Sequence, residues 1–214
     1  MTEATQAREP RLARLATDGL EPKNWILADV VLVGWHAGRF AGVGWGLVGG
    51  LFAAVLPTVF ITVGIRKGRW GDRHVSQRQQ RIIVMLFVLL SVAAGITLMT
   101  AFGAPRPVIA LIAAMFTTMA TLFAVTAGTK ADSASQQRYS GSSWRGKISV
   151  HAAVASGSVV MLAMSYGPWA LLAYALVAVV GWSRIKLYDH TLGQVTAGSV
   201  LGAVAAGATF WLLG

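Results

Sequence analysis

Apolar residues along this 214-residue chain gather into seven blocks, about 25–38, 43–65, 82–102, 108–127, 149–165, 169–183 and 192–213. Polar or Gly/Pro-rich stretches separate them. A helix needs ~20 apolar residues to cross a bilayer, and most of the blocks approach that length. The first is short and is expected to tilt or to lie partly in the interface. Pro57 falls inside the second and predicts a kink, because proline lacks a backbone donor and its ring crowds the preceding turn. Gly103-Ala104-Pro105-Arg106-Pro107 reads as a turn, and Tyr166-Gly167-Pro168 ends the fifth block. Residues 128–147 form a loop rich in Ser, Gln and Gly. The pattern predicts an all-α fold, a polytopic membrane helical bundle with six to seven transmembrane helices. Residues 24–214 make one transmembrane domain in this reading, without an internal repeat. Residues 1–23 are polar, carry Arg8, Arg11 and Arg14, and lack the apolar stretch and cleavage site of a secretory signal. They are read as a frayed or interfacial cytoplasmic arm.

Small residues punctuate the blocks. Gly198 and Gly202 stand four apart near Ala197 and Ala206, and Gly46 and Gly50 repeat the spacing. Small side chains let backbones approach in lipid, so these positions predict tight helix contacts. Trp25, Trp45, Trp70, Trp144, Trp169, Trp182 and Trp211 lie mostly near block ends, as an interfacial belt requires.

Composition sharpens the picture. Hydrophobic residues make up 55% of the chain and charged residues 12%, against about 25% charged in an ordinary soluble domain. A chain of this size has too little interior to hide so much apolar surface, which argues against a soluble globular enzyme. There is no cysteine, which excludes disulfides, thiolate metal sites, iron–sulfur clusters and a cysteine nucleophile. The carboxylates are Glu3, Glu9, Asp18, Glu21, Asp29, Asp72, Asp132 and Asp189, and no two stand at i, i+4. Chemistry that needs a carboxylate cage for magnesium has almost nothing to work with.

The net charge of +10 suits anionic headgroups or a phosphate substrate, and the apolar bulk argues against nucleic acid. If all seven blocks cross, 16 of the 18 Lys and Arg fall on one side, leaving Arg39 and Arg106 on the other. The positive-inside rule makes the richer side cytoplasmic. The expected location is a bacterial-type inner membrane.

Three of the four histidines sit in informative surroundings. Residues 66–74 read Arg-Lys-Gly-Arg-Trp-Gly-Asp-Arg-His, residues 147–151 Lys-Ile-Ser-Val-His, and residues 183–194 Ser-Arg-Ile-Lys-Leu-Tyr-Asp-His-Thr-Leu-Gly-Gln. Two blocks separate each segment from the next, so the three fall on one face, the basic one. His36, with Arg39, lies on the other side and receives no role. A phosphate needs positive charges and backbone N–H donors around its oxygens. Arg66, Lys67, Arg73 and Arg184 supply charge, and helix starts near Ser149 and Thr191 supply donors. Two imidazoles then suffice for phosphoryl transfer without a metal, one attacking phosphorus and one protonating the leaving oxygen.

Ser183-Arg184, five residues, then His190 resembles the third signature of the type 2 phosphatidic acid phosphatase superfamily, Ser-Arg-x5-His-x3-Asp. Ser149-Val150-His151 resembles its second, Pro-Ser-Gly-His, and the stretch from Arg66/Lys67 to Arg73 its first, Lys-x6-Arg-Pro. The resemblance covers residues 43–213. It implies a nucleophilic His190, a general acid His151, and phosphate contacts from Arg73, Arg184, Ser149 and either Lys67 or Arg66. It also implies metal-independent cleavage of lipid phosphates or polyprenyl (di)phosphates, with no cofactor and with membrane lipids as surroundings.

The chain departs from the signatures in places. Gln194 stands where the family has the Asp that orients the nucleophile, with Asp189 as a nearby charge that could support His190. Val150 replaces Gly, Ile148 replaces Pro, and His74 follows Arg73 in place of Pro. These departures motivate an alternative, a catalytically impaired member that binds or moves anionic lipids. A channel or transporter is a third class, disfavoured because nearly all charge lies at one face.

Overall fold

The computed structural model describes residues 3–68, 78–136 and 148–214. Apart from short turns they are helical, with no strand among the described residues. The helices are α1 (Glu3–Gly19), α2 (Pro22–Gly50), α3 (Leu56–Arg66), α4 (Arg78–Ala101), α5 (Arg106–Gln136), α6 (Val150–Tyr166), α7 (Tyr174–Lys186) and α8 (Leu192–Leu213). A π-helical turn, Leu51–Val55, joins α2 to α3, and a 3₁₀ segment, Pro168–Ala173, leads into α7. Four stretches are long and apolar enough to cross a membrane: Arg11–Arg66, Arg106–Val125, Pro168–Lys186 and Leu192–Leu213. Leu86–Ala101 and Val150–Tyr166 are apolar and shorter.

Local chemistry sets the boundaries. Pro22 opens α2, where its missing N–H costs nothing. Ser149 caps α6 by accepting from the Ala152 N–H at 3.4 Å. Thr191 and Gln194 cap α8 reciprocally in a capping box. Gly167 takes φ +101 after α6, and Pro168 follows. The kink expected at Pro57 takes the form of the π turn just before it. Widening that turn turns backbone groups outward, and Ser91 of α4 donates to the Phe52 carbonyl at 2.7 Å.

α2 is not one straight rod. Gly38 and Arg39 leave helical geometry, Arg39 with φ +53, and the chain reverses there. Residues equally distant from Gly38 meet: a Cβ on Gly42 would stand 2.0 Å from the Gly34 carbonyl, and one on Gly46 2.9 Å from Val30 Cγ1. The glycines of the second apolar block therefore serve this hairpin. Its tip lies against Pro105, so Arg39 and Arg106 share one end of the bundle.

α6 is the centre. Ser149, Ala153 and Gly157 meet Gly198, Gly202 and Ala206 in the same order, so α6 and α8 run side by side in one direction. A Cβ on Gly202 would stand 2.0 Å from the Ala153 carbonyl, which is the close approach the small residues predict. The first arm of α2 runs the same way. Asp29 meets Ser158, and the Tyr166 hydroxyl donates to the Leu32 carbonyl at 2.7 Å. Val30, Val33, Leu111, Met161, Leu162 and Phe210 form the principal core between these helices.

Three expectations need correcting. The loop expected over 128–147 is helix as far as Gln136, because α5 runs on past its apolar stretch, and residues 137–147 lie outside the described residues. The N-terminal arm is not frayed: over Glu3–Gly19 it is a helix that packs on α7. The Asn24 side chain donates to the Asp18 and Gly19 carbonyls at its end. Trp25 is not a belt residue. It is buried against Ala155, Val159, Val177 and Val180. Trp169 and Trp211 are exposed, as a belt requires, while Trp70 and Trp144 lie outside the described residues.

Candidate functional site

The parallel course of α2, α6 and α8 brings three helix starts to one end of the bundle, and α7 ends there. The segments 147–151 and 183–194 touch through their backbones: the Ser149 N–H donates to the Gln194 carbonyl at 3.2 Å. A Cβ on Gly198 would stand 2.5 Å from the Ser149 carbonyl, so glycine is what lets α8 close onto the mouth of α6.

His190 precedes the Thr191 cap and is half-buried. Its Nδ1 lies 3.2 Å from Gln194 Oε1, and the same oxygen accepts the Thr191 N–H at 3.1 Å. A backbone N–H can only donate, so the amide must turn its oxygen toward it. Nδ1 facing that oxygen then carries the proton, and the lone pair of His190 is on Nε2. Gln194, buried and fixed by the capping box, thus sets the tautomer.

His151 occupies the first turn of α6 and is half-buried. Arg184, His190, Asp189 and Glu21 all lie within electrostatic range of its ring. Arg184 is in the last turn of α7, and its Nη2 pairs with Asp189 Oδ2 at 3.1 Å. Asp189 therefore supports the arginine; the group that contacts the His190 ring nitrogen is Gln194. Ser149 is fully buried, with its hydroxyl in the cap of α6. Ser183 is fully buried as well and donates to the Val180 carbonyl at 2.8 Å.

The segment 66–74 is placed differently where it is described. Arg66 and Lys67 are exposed at the end of α3, whose neighbours are the π turn and α4. Neither is among the charges acting on His151. Arg73 and His74 lie outside the described residues.

Sequence reasoning missed the N-terminal contribution. Thr17 Oγ1 donates to Ser183 Oγ at 3.0 Å, docking α1 beside Arg184. Glu21, at the cap of α2 and ion-paired with Lys23, brings a carboxylate toward His151. The one available signal was the amphipathic spacing of Ala13, Thr17 and Leu20, of which Ala13 is fully buried.

Beside the site an open apolar groove of about 580 Å³ follows α8, lined by Ile148, Thr196, Ala197, Val200, Leu201 and Val204. No group of three or more His, Asp or Glu placed to hold a metal occurs among the described residues. The chain matches no protein-family model, no curated protein and no solved structure.

Proposed function

We propose that the protein is a metal-independent membrane phosphatase that hydrolyses a lipid or polyprenyl (di)phosphate through a phosphohistidine on His190. The observation that carries the reading is the Gln194 oxygen that fixes the His190 tautomer, with His151 and Arg184 in the same cluster. In this mechanism His190 Nε2 attacks phosphorus and the bond from phosphorus to the leaving oxygen breaks. His151, as imidazolium, gives that oxygen its proton and the lipid product departs. Neutral His151 then takes a proton from water, whose oxygen attacks the phosphohistidine. The P–N bond breaks, returning His190 and inorganic phosphate. Arg184 and the N-terminal amides of α6 hold the phosphate oxygens. Arg73 would add charge to the phosphate, whereas Arg66 and Lys67 end α3 away from the histidines and take no part in this reading. The groove beside α8 has the apolar character an acyl or prenyl chain needs.

The membrane topology belongs to the same proposal. The α2 reversal divides Arg11–Arg66 into two passes, and α4 to α8 add five, giving about seven crossings. The end holding His151, His190, Lys23, Arg184 and Lys186 faces the cytoplasm by its positive charge.

The test is phosphate release from short-chain phosphatidic acid and from a polyprenyl phosphate, by detergent-purified protein in the presence of a chelator. Turnover that is lost in His190→Ala, and a radiolabelled phosphohistidine trapped on the wild type, are the expected results. Turnover that requires magnesium and survives His190→Ala would reject the mechanism. The neutral Gln194 and the bulky Val150 favour a second reading, a protein that binds anionic lipids without hydrolysing them. Wild type that binds phosphatidic acid vesicles and traps no phosphohistidine would select it.

A further inference from the structure

Arg184 and Asp189 are held together by the backbone as well as by charge. Tyr188 takes φ +58, a left-handed conformation uncommon outside glycine, while its side chain is 96% exposed and packs on nothing that would explain it. The result is a tight turn in which the Asp189 and His190 N–H groups both donate to the Arg184 carbonyl, at 3.1 and 3.3 Å. The turn returns the Asp189 carboxylate to the guanidinium of the residue that began it. Strain of this kind gathers where geometry serves a site.

The pairing is incomplete in an informative way. A guanidinium grips an oxyanion best through two parallel N–H donors. Asp189 uses only Nη2 of Arg184, while the buried Nε has no hydrogen-bond partner. The arginine side chain is 16% exposed and its partner 44%, so the carboxylate is the member free to swing toward water.

We propose that Asp189 is a resident counter-ion that the substrate phosphate displaces from Arg184. This rests on the phosphatase reading. Before substrate arrives, the carboxylate occupies one arm of the guanidinium and lowers the net charge beside His151 and His190. The incoming phosphate takes Nη2 and Nε together, and Asp189 turns to solvent. Binding is then an exchange of one anion for another, and Asp189 acts as a specificity-determining residue that weakens the hold on phosphate, product included.

The experiment compares wild type with Asp189→Asn, Asp189→Glu and Asp189→Ser in detergent. The substrate is short-chain phosphatidic acid and the competitor is inorganic phosphate. Removing the charge in Asp189→Asn should lower KM and the inhibition constant of inorganic phosphate together, by about three- to tenfold, with kcat changed less than KM. Asp189→Glu, which keeps the anion on a longer arm, should fall between wild type and Asp189→Asn in both constants. Asp189→Ser reports the same exchange if the Asn variant does not fold. Equal or weaker phosphate binding in both uncharged variants, beside an active wild type, overturns the proposal and leaves the phosphatase reading standing. A fall in the phosphate inhibition constant with KM unchanged overturns exchange with substrate. A wild type that traps no phosphohistidine and is not inhibited by phosphate removes the reading itself, and this proposal with it.

Discussion

Ser158 Oγ donates a 2.5 Å hydrogen bond to Asp29 Oδ2 inside the bundle, joining residues 129 positions apart. Both side chains are almost wholly buried, and Asp29 Oδ1 has no partner. A buried carboxyl with one bond is tolerated only while that bond lasts, because an unsatisfied polar group bears its full desolvation cost.

Ser158→Ala is therefore expected to destabilise the protein by about 1–3 kcal/mol. Asp29→Asn, which keeps a polar partner for Ser158, costs less. The double change Asp29→Ala with Ser158→Ala recovers part of the loss, since neither polar group is then stranded. Thermal unfolding in detergent gives the order, and a Ser158→Ala variant as stable as wild type would show that the bond contributes nothing.

Gly202→Ala places a methyl on the Ala153 carbonyl, where the contact would be 2.0 Å. Forcing α6 and α8 apart is expected to cost about 1–3 kcal/mol or more and to separate His151 from His190. Gly44→Ala, with nothing within 4 Å of the added carbon, should leave stability unchanged or slightly raised. Paired melting curves and activity assays on the two variants check both halves.

Gln194→Leu removes the acceptor shared by His190 Nδ1 and the Thr191 N–H. In the proposed mechanism, a His190 no longer held in one tautomer should lose about a hundredfold in kcat. The lost cap adds a stability cost of about 1 kcal/mol. Gln194→Glu keeps an acceptor for both donors and should stay within about tenfold of wild type. Single-turnover labelling of His190 separates the chemical defect from the thermal one.

Thr17→Val breaks the bond that docks α1 on Ser183. The expected loss is about 0.5–1.5 kcal/mol, with cleavage by a protease within residues 3–19 appearing before the rest of the chain is cut. Limited proteolysis followed by mass spectrometry reads this directly. Protection equal to wild type would mean that Ala13 and its neighbours hold the helix without Thr17.

Sidedness follows from the same architecture. Phe40 is 82% exposed beside the α2 reversal and Tyr188 is 96% exposed at the other end. In the proposed topology, Phe40→Cys reacts with an impermeant thiol reagent in intact cells, while Tyr188→Cys reacts only after permeabilisation. The chain has no native cysteine to confuse the result. The opposite pattern would reverse the cytoplasmic assignment.

Most of the helical segments and several of their ends were legible in the chain, though not α1 or the continuation of α5 to Gln136. Apolar length, Ser149, Thr191, Pro22 and Gly167 act within a few residues, and desolvation and backbone capping are local forces. Placing Arg39 and Arg106 at one end and His151 and His190 at the other needed only the order of apolar blocks, which the parallel α6 and α8 reproduce. Tertiary structure alone decided who pairs with whom. The break between the first two apolar blocks announced a reversal near Gly38, but nothing there says that Gly42 meets Gly34 or that Gly46 meets Val30. Nor does anything near Asp29 point to Ser158, or near residues 66–67 to a position on α3 away from the histidines. The N-terminal helix gains its place from α7, and Asp189 meets Arg184 only through the turn at Tyr188. Such contacts depend on how closely two backbones can approach and on which buried polar atoms still need partners, and neither quantity exists until the helices are assembled.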